Sequence, residues 1–310
     1  MPEKQPPKEK PSKKPTVYLM SLFNPVRIIR AVQFHRKQKK YSKASHDLEL
    51  GLYSEMLLND MLHYGYFDDI HIEPDRLSFH DVESAQIRYA EKLISLILDK
   101  SRPVLDIGCG IGGIANLIKQ HGFDVEVLSP NTGQINYVRK TYPALPSHHL
   151  RFEEFKSEKK FGTLLNAESF QYIDMQKAFE KADEIIAPEG RWIICDYFSI
   201  QPRTEKKPQK RLEDFEEIAN EHGWNIIYRE DITMNVLPTL KFANMYVTRI
   251  VNPILYYLES KLLVKLAWLH HLTHEIRDKL SKKLTREFSK LDTRIFLSEK
   301  KYLILVLTKK

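Results

Sequence analysis

The residues best suited to chemistry lie in one run, Val104-Leu105-Asp106-Ile107-Gly108-Cys109-Gly110-Ile111-Gly112-Gly113. Its first half reads as a buried strand, its second as a glycine-rich turn that opens a helix. Open α/β sheets hold nucleotides at strand ends in this way. Glycine lets a backbone approach its ligand and reach dihedrals closed to other residues. Gly108, Gly110 and Gly113 also fit G-x-G-x-x-G, a pattern too generic to name the nucleotide by itself. Asp106 ends the strand just before the first glycine, where a carboxylate can support a ligand's ammonium group. A dinucleotide enzyme needs an acid at the end of its second strand, for the ribose. Here that position reads Val127-Leu128-Ser129. A nicotinamide oxidoreductase therefore falls behind a sulfonium-using enzyme.

The elements that must position this loop alternate along the chain. Strands are expected at Pro103 to Gly108, Val125 to Ser129, Leu150 to Phe155, Gly162 to Ala167, Arg191 to Asp196, Trp224 to Arg229 and Tyr302 to Thr308. Helices are expected at Asp81 to Lys100, Ile111 to His121, Gln134 to Lys140, Met175 to Ile186 and Leu212 to His222, with more between about Leu240 and Leu291. Strands and helices at this spacing imply an α/β fold: a Rossmann-like, doubly wound, mainly parallel seven-stranded sheet. A helical segment precedes it, and a helical insertion precedes the last strand. No internal repeat is visible.

Composition narrows the class further. The chain has 310 residues, 42% hydrophobic and 29% charged, with a mean hydropathy of -0.42. That fits a globular protein and excludes collagen-like, disulfide-scaffold or wholly disordered classes. Two cysteines, Cys109 and Cys195, cannot build a disulfide framework or a cysteine metal site, so a reducing, cytoplasmic compartment is expected. No apolar run approaches the ~18 residues of a membrane span, and no secretory signal is visible.

The net charge of +7 is uneven. Residues 1–43 hold 12 Lys/Arg against two Glu, and the rest of the chain holds 36 against 39. The basicity belongs to an N-terminal arm, which argues against the whole protein as a nucleic-acid binder. Residues 1–16, with five prolines in the first fifteen positions, read as a disordered tail. Asn24-Pro25 then reads as a helix start, with Val26, Ile29 and Val32 on one face beside Arg27 and Arg30. Such a helix either lies on an anionic membrane surface or packs on its own domain.

With these residues in place, the chain resembles the class I S-adenosylmethionine-dependent methyltransferases. Within them it resembles the cyclopropane-fatty-acid synthase and mycolic-acid methyltransferase group and the tocopherol methyltransferases. The matching segments run over roughly residues 60–200 plus the last ten. The resemblance implies S-adenosylmethionine as cofactor, held at Asp106, Gly108, Cys109 and Gly110. His63-Tyr64-Gly65-Tyr66-Phe67 resembles the aromatic segment that contacts the cofactor's carboxylate and closes over it, and Gln86 matches the Ala-Gln of the preceding helix. Leu128-Ser129 and Gln134 resemble the ribose-binding positions, although two extra residues intervene before Gln134. Phe152 and Glu153 resemble the pair at the adenine, with Glu154 the competing acid. Ala167 and Glu168 end the strand that faces the methyl donor. The implied divisions are the tail 1–16, a helical arm and cofactor lid 17–100, the core 101–233, a helical acceptor lid 234–300 and the last strand 301–310.

Three residues are candidates for catalysis: Glu168, Tyr64 and Tyr66. Glu168 either orients the acceptor and takes its proton or caps the following turn. Cyclopropane synthases use a bicarbonate site of Cys, Glu, His and Tyr. At the matching positions this chain has Tyr64 for the Cys and Gln171 for the Glu, and Glu168 replaces a small residue. A carboxylate there repels bicarbonate. Simple methyl transfer to a small lipophilic molecule or lipid is therefore expected, ahead of a non-catalytic adaptor acting through the basic arm at a membrane or nucleic acid. The long apolar insertion, including residues 253–258 and 262–269, is expected to pack on the core, line an apolar acceptor site or meet membrane, with core packing the default. His270, His271 and His274 offer too few ligands for a metal, and none is assigned.

Overall fold

Side-chain alternation along each strand builds the core in two layers. In the strand Val104–Ile107 (β1), Val104 faces one hydrophobic cluster while Leu105 and Ile107 face the other. The computed structural model describes residues 25–42, 58–202 and 210–309. The expected tail 1–16 lies outside the described residues.

After the helix Pro25–Ser42 (α1), helix Phe79–Ile94 (α2) starts on a capping box: Ser78 accepts from the Asp81 amide and Asp81 answers at the Ser78 amide. β1 is followed by helix Gly113–Gln120 (α3), strand Val125–Leu128 (β2), helix Thr132–Thr141 (α4) and the short strand Ser147–His148 (β3). Next come strand Phe161–Ala167 (β4), helix Met175–Ile185 (α5), strand Ile186–Ser199 (β5), helix Leu212–Glu221 (α6) and strand Trp224–Asp231 (β6). Helix Thr233–Tyr246 (α7) leads through a π turn at Val247–Val251 into Asn252–Lys265 (α8), Ala267–Leu272 (α9), His274–Ser289 (α10) and Thr293–Glu299 (α11). Strand Lys300–Lys309 (β7) closes the sheet.

The sheet order is β3-β2-β1-β4-β5-β7-β6. β1 to β5 are mutually parallel, and β7 is antiparallel to both β5 and β6. The doubly wound, mainly parallel seven-stranded architecture is therefore present. One expected strand is misplaced: the third edge strand is Ser147–His148, and Phe152–Glu154 forms a single 3-10 turn. Apolar spacing at Leu150, Phe152 and Phe155 resembles a strand, but Phe152 and Phe155 are both buried in the same cluster, which a turn allows.

Tyr89, Leu93, Ile114, Ile118, Val236 and Leu240 cover one face of the sheet. Phe152, Phe179, Trp192, Phe215 and Trp224 cover the other. Each such large side chain contributes roughly 1.5–3 kcal/mol on burial, enough to hold the strand ends as a fixed platform.

Candidate active site

A cleft of about 560 Å³ opens where β1, β2 and β4 end. The glycine loop forms its floor. Gly108 has φ +77°, and a Cβ there would stand 2.4 Å from the Ser169 Cβ, so the backbone must pass bare against β4's exit. Gly110 has φ +55° with only Leu62 near, at 3.4 Å. Its requirement is conformational, and its face toward the cleft is open. Cys109 also lines the cleft, its thiol kept protonated by burial.

Asp106 is 2% exposed, and its Oδ2 lacks a hydrogen-bond partner. Burial pushes its pKa up to about 7. A cationic donor group in the cleft would restore the anion, because opposite charge favours the ionised form.

Over the loop lies the segment 59–67. The Asp60 carbonyl sits where a Gly113 Cβ would be, at 2.4 Å. Asp60 Oδ1 and Oδ2 accept from the Tyr137 and Tyr142 hydroxyls at 2.7 and 2.6 Å, which fastens the segment to α4. Gln86, buried on α2, donates to the Met61 and His63 carbonyls at 3.1 and 2.7 Å and accepts from Asn59. Gln86 does not line the cleft. It holds the backbone of residues that do.

His63 lines the cleft and stacks on Tyr89 with ring centroids 4.2 Å apart. Its Nδ1 is 2.8 Å from the Tyr64 carbonyl, which only accepts, so the proton is on Nδ1 and Nε2 is a bare acceptor. Nε2 is buried without a partner, and burial lowers the ring's pKa to about 4. The ring is thus neutral near pH 7. It suits a donor group better than the carboxylate its family position implied.

The three catalytic candidates separate in space. Glu168 lines the cleft. The Tyr64 side chain instead packs beside Phe296 and Tyr302. Tyr66 bonds α2 through its amide to the Ala85 carbonyl and lies under Lys92 Nζ, 4.9 Å from its ring centroid. Neither ring reaches the cleft, because α2 and α11 hold them from behind.

Glu168 sits at φ +54°, a region uncommon for a residue with a side chain and worth about 1–3 kcal/mol of strain. Its Oε1 accepts from the Tyr64 amide at 2.7 Å and the Tyr302 hydroxyl at 2.6 Å. Tyr302 in turn meets the Tyr89 hydroxyl at 3.1 Å. Burial pushes the Glu168 pKa up to about 7, the two hydrogen bonds hold it down, and nearby Asp196 raises it further. Asp196 is itself buried and pushed up to about 7, accepting from the Gln171 and Tyr197 amides. Tyr302 and Asp196 carried no sequence signal, since they sit inside apolar strand runs.

At the other end of the cleft, Ser129 Oγ donates to Gln134 Oε1 at 2.6 Å. The additional residues before Gln134 have a purpose: Asn131 caps α4 by accepting from the Gln134 amide. Leu128, Ala167, Phe152 and Glu153 also line the cleft, whereas Glu154 is exposed and outside it. Arg151, Leu62 and Asn131 line it too and were not foreseen. Only their fold neighbours bring them there.

No cleft-lining residue comes from the insertion 234–300. The insertion acts on the site from behind: Thr239 Oγ1 accepts from the Gly65 amide at 3.0 Å, and Asn235 donates to the Phe67 carbonyl at 2.9 Å. Core packing fails for most of it, as no residue of the π turn, α8, α9 or α10 is buried. Among the described residues no group of three His, Cys, Asp or Glu is placed to hold a metal, and no helix is long and apolar enough to cross a membrane.

Residues 80–233 match the protein family described as a methyltransferase domain. No curated protein matches the chain's sequence. Among solved structures, a candidate sarcosine dimethylglycine methyltransferase from Galdieria sulphuraria is similar with TM-score 0.64 and 13% identity, over 84% of this chain and 98% of that one. A cyclopropane synthase from Mycobacterium tuberculosis aligns with TM-score 0.58 and 16% identity, over 82% and 93%. Geranyl diphosphate C-methyltransferase from Streptomyces coelicolor A3(2), solved with Mg2+, geranyl diphosphate and S-adenosyl-L-homocysteine, aligns with TM-score 0.55 and 14% identity, over 81% and 91%. Family match, strand order and glycine loop agree: residues 80–233 of this chain match a methyltransferase domain, and the chain has the fold of the class I, S-adenosylmethionine-dependent methyltransferases.

Proposed function

We propose that the chain transfers a methyl group from S-adenosylmethionine to a small acceptor with an apolar body, by simple displacement, with Glu168 serving the acceptor. The observation that carries this reading is the Glu168 carboxylate. It stands in the cleft with one oxygen held by Tyr64 and Tyr302 and a pKa near the working pH. A base tuned to about 7 is suited to accept a proton as the acceptor's nucleophile forms its bond to carbon.

The residues present suit the cofactor. Asp106 and His63 offer two buried acceptors without partners, matched to an ammonium or hydroxyl donor. Ser129 and Gln134 suit the ribose, and Phe152 and Glu153 the base. Gly108, Cys109, Gly110, Leu128 and Ala167 complete the walls. The sulfonium brings an already activated methyl group, so positioning and water exclusion are the chain's main tasks.

Two further points support the details. Glu168 stands where the resemblance places the bicarbonate site of cyclopropane synthases, and its carboxylate repels that anion whenever it is ionised, which favours simple transfer. Met61, Leu62, Ile111 and Ile173 give the cleft apolar walls, and one structurally similar protein is named for a prenyl substrate, geranyl diphosphate.

The test uses S-adenosylmethionine labelled on its methyl group, with the purified chain and a crude metabolite extract. Label appearing in the organic phase is expected. Label confined to water-soluble products would overturn the apolar acceptor. No transfer at all, with no thermal shift by S-adenosylhomocysteine, would overturn the enzyme reading.

A further inference from the structure

The insertion exposes more apolar surface than a soluble domain tolerates without a purpose. In α8 five consecutive residues, Ile254, Leu255, Tyr256, Tyr257 and Leu258, are all exposed, as are Leu263 and Val264. Five in a row cover the whole helix circumference, so one flat contact cannot bury them. A helix apolar on every side belongs inside a core or in lipid, and the core does not cover this one.

Charge indicates which environment covers it. Residues 247–289 hold eight Lys/Arg against four Asp/Glu. Three of the four acids are engaged within the insertion or beside it: Glu259 with Arg277, Asp278 with His274, Glu287 with Lys290. Among the described residues Arg249, Lys265, Lys279, Lys282 and Lys283 have no ion pair, which leaves positive charge facing outward. In α10, Lys279, Lys282, Lys283 and Arg286 recur at helical spacing beside the exposed Ile276 and Leu280. A basic stripe flanking an apolar one suits anionic headgroups over acyl chains. A second copy of the same surface would bring like charge against like.

We propose that α8 to α10 form a docking surface for an anionic lipid bilayer, lying in its interface and distinct from the basic N-terminal arm. Among the described helices none can span a bilayer, so contact is in-plane. Lys261 and Lys265 can bury their stems and lift their charges to the headgroups. The surface is wired to the cleft at both ends. α7 bonds Gly65 and Phe67 of the segment over the glycine loop, and Phe296 of α11 packs on Tyr64 and Tyr197. Docking would therefore set the cleft's lid wall beside the membrane. This inference does not rest on the acceptor proposed above, since its test needs no turnover.

The full-length chain is floated with vesicles of phosphatidylcholine alone and of phosphatidylcholine with phosphatidylglycerol. Binding to the anionic vesicles, weakened by salt, is expected. The variant Tyr256→Asp/Val264→Asp changes side chains that are 74% and 77% exposed. It should bind roughly 10-fold more weakly or worse, given the loss of two apolar anchors and two added charges. Lys279→Gln/Lys282→Gln/Lys283→Gln should weaken binding and flatten its salt dependence. Melting temperature and S-adenosylhomocysteine affinity should stay unchanged in both. Wild type that ignores both vesicle types would overturn the proposal. So would variants that float as wild type does, which would assign binding to the arm. A dimer in sedimentation that only the Asp variant dissolves, with no vesicle binding, would instead make the surface a self-contact.

Discussion

Asp106 and Glu168 are cleft carboxylates that burial holds near neutrality, at about 7 each, and they should answer pH separately. A ligand ammonium prefers ionised Asp106, so S-adenosylhomocysteine affinity should rise with pH through about 7 and then level. Asp106→Asn should remove that dependence and weaken binding by roughly 10-fold or more, the size of one charged hydrogen bond. Calorimetric titration between about pH 5.5 and 8.5 checks both. Glu168→Gln keeps shape and hydrogen-bonding reach but removes the charge. Its kcat should fall by roughly 100-fold with cofactor affinity nearly unchanged. Tyr302→Phe removes a hydrogen bond that holds the Glu168 pKa down, so the inflection in kcat against pH should move upward. A residue serving only as a turn cap would lower the melting temperature and leave that inflection in place.

At the scale of elements, the loop between β1 and α3 contains glycines with two different duties. Gly108 makes room for the protein itself, since its Cβ would overlap Ser169. Gly108→Ala should therefore cost about 1–3 kcal/mol and show as a lowered melting temperature. Gly110 has no such neighbour. Gly110→Val should leave a folded chain that has lost saturable S-adenosylhomocysteine binding, because a β-branched residue at positive φ reshapes the loop and fills its open face. Paired calorimetry and thermal melts separate these outcomes. Gly113 follows the first pattern, packed under the Asp60 carbonyl. A spacing pattern alone treats all three alike.

For the whole molecule, buried titrating groups set how stability varies with pH. Asp106, Glu168 and Asp196 have folded pKa values of about 7, above their ordinary 3.8 to 4.5. The native state thus binds more protons than the unfolded chain between about 4.5 and 7, and stability from these groups falls as pH rises across that window. His63, lowered from 6.5 to about 4, acts in the opposite direction. Three acids outweigh one histidine. The melting temperature should fall from about pH 5 to pH 7.5 and then flatten, and Asp196→Asn should make the slope shallower. Surface acids held low by partners, such as Asp81 and Asp183, act below this window.

Strand-helix alternation and the run from Val104 to Gly113 made the sheet, its cofactor loop and the methyltransferase resemblance legible, because these depend on local spacing and on residues adjacent in the chain. Ser129 with Gln134 and Phe152 with Glu153 were named from the family resemblance, and all four line the cleft. The rest is long-range. Glu168 receives its two hydrogen bonds from residues 104 and 134 positions away, and no periodicity records that Tyr302 faces it. Tyr64 and Tyr66 read as cleft residues from their motif, yet packing by α2 and α11 turns both rings elsewhere. Gln86 likewise binds backbone rather than cleft. The insertion's apolar residues suggested a core, a pocket wall or a membrane contact, and only their exposure in three dimensions shows that, among the described residues, neither core nor cleft covers them. Hydrophobicity dictates that a surface be buried. What buries it is decided by geometry, which composition does not contain.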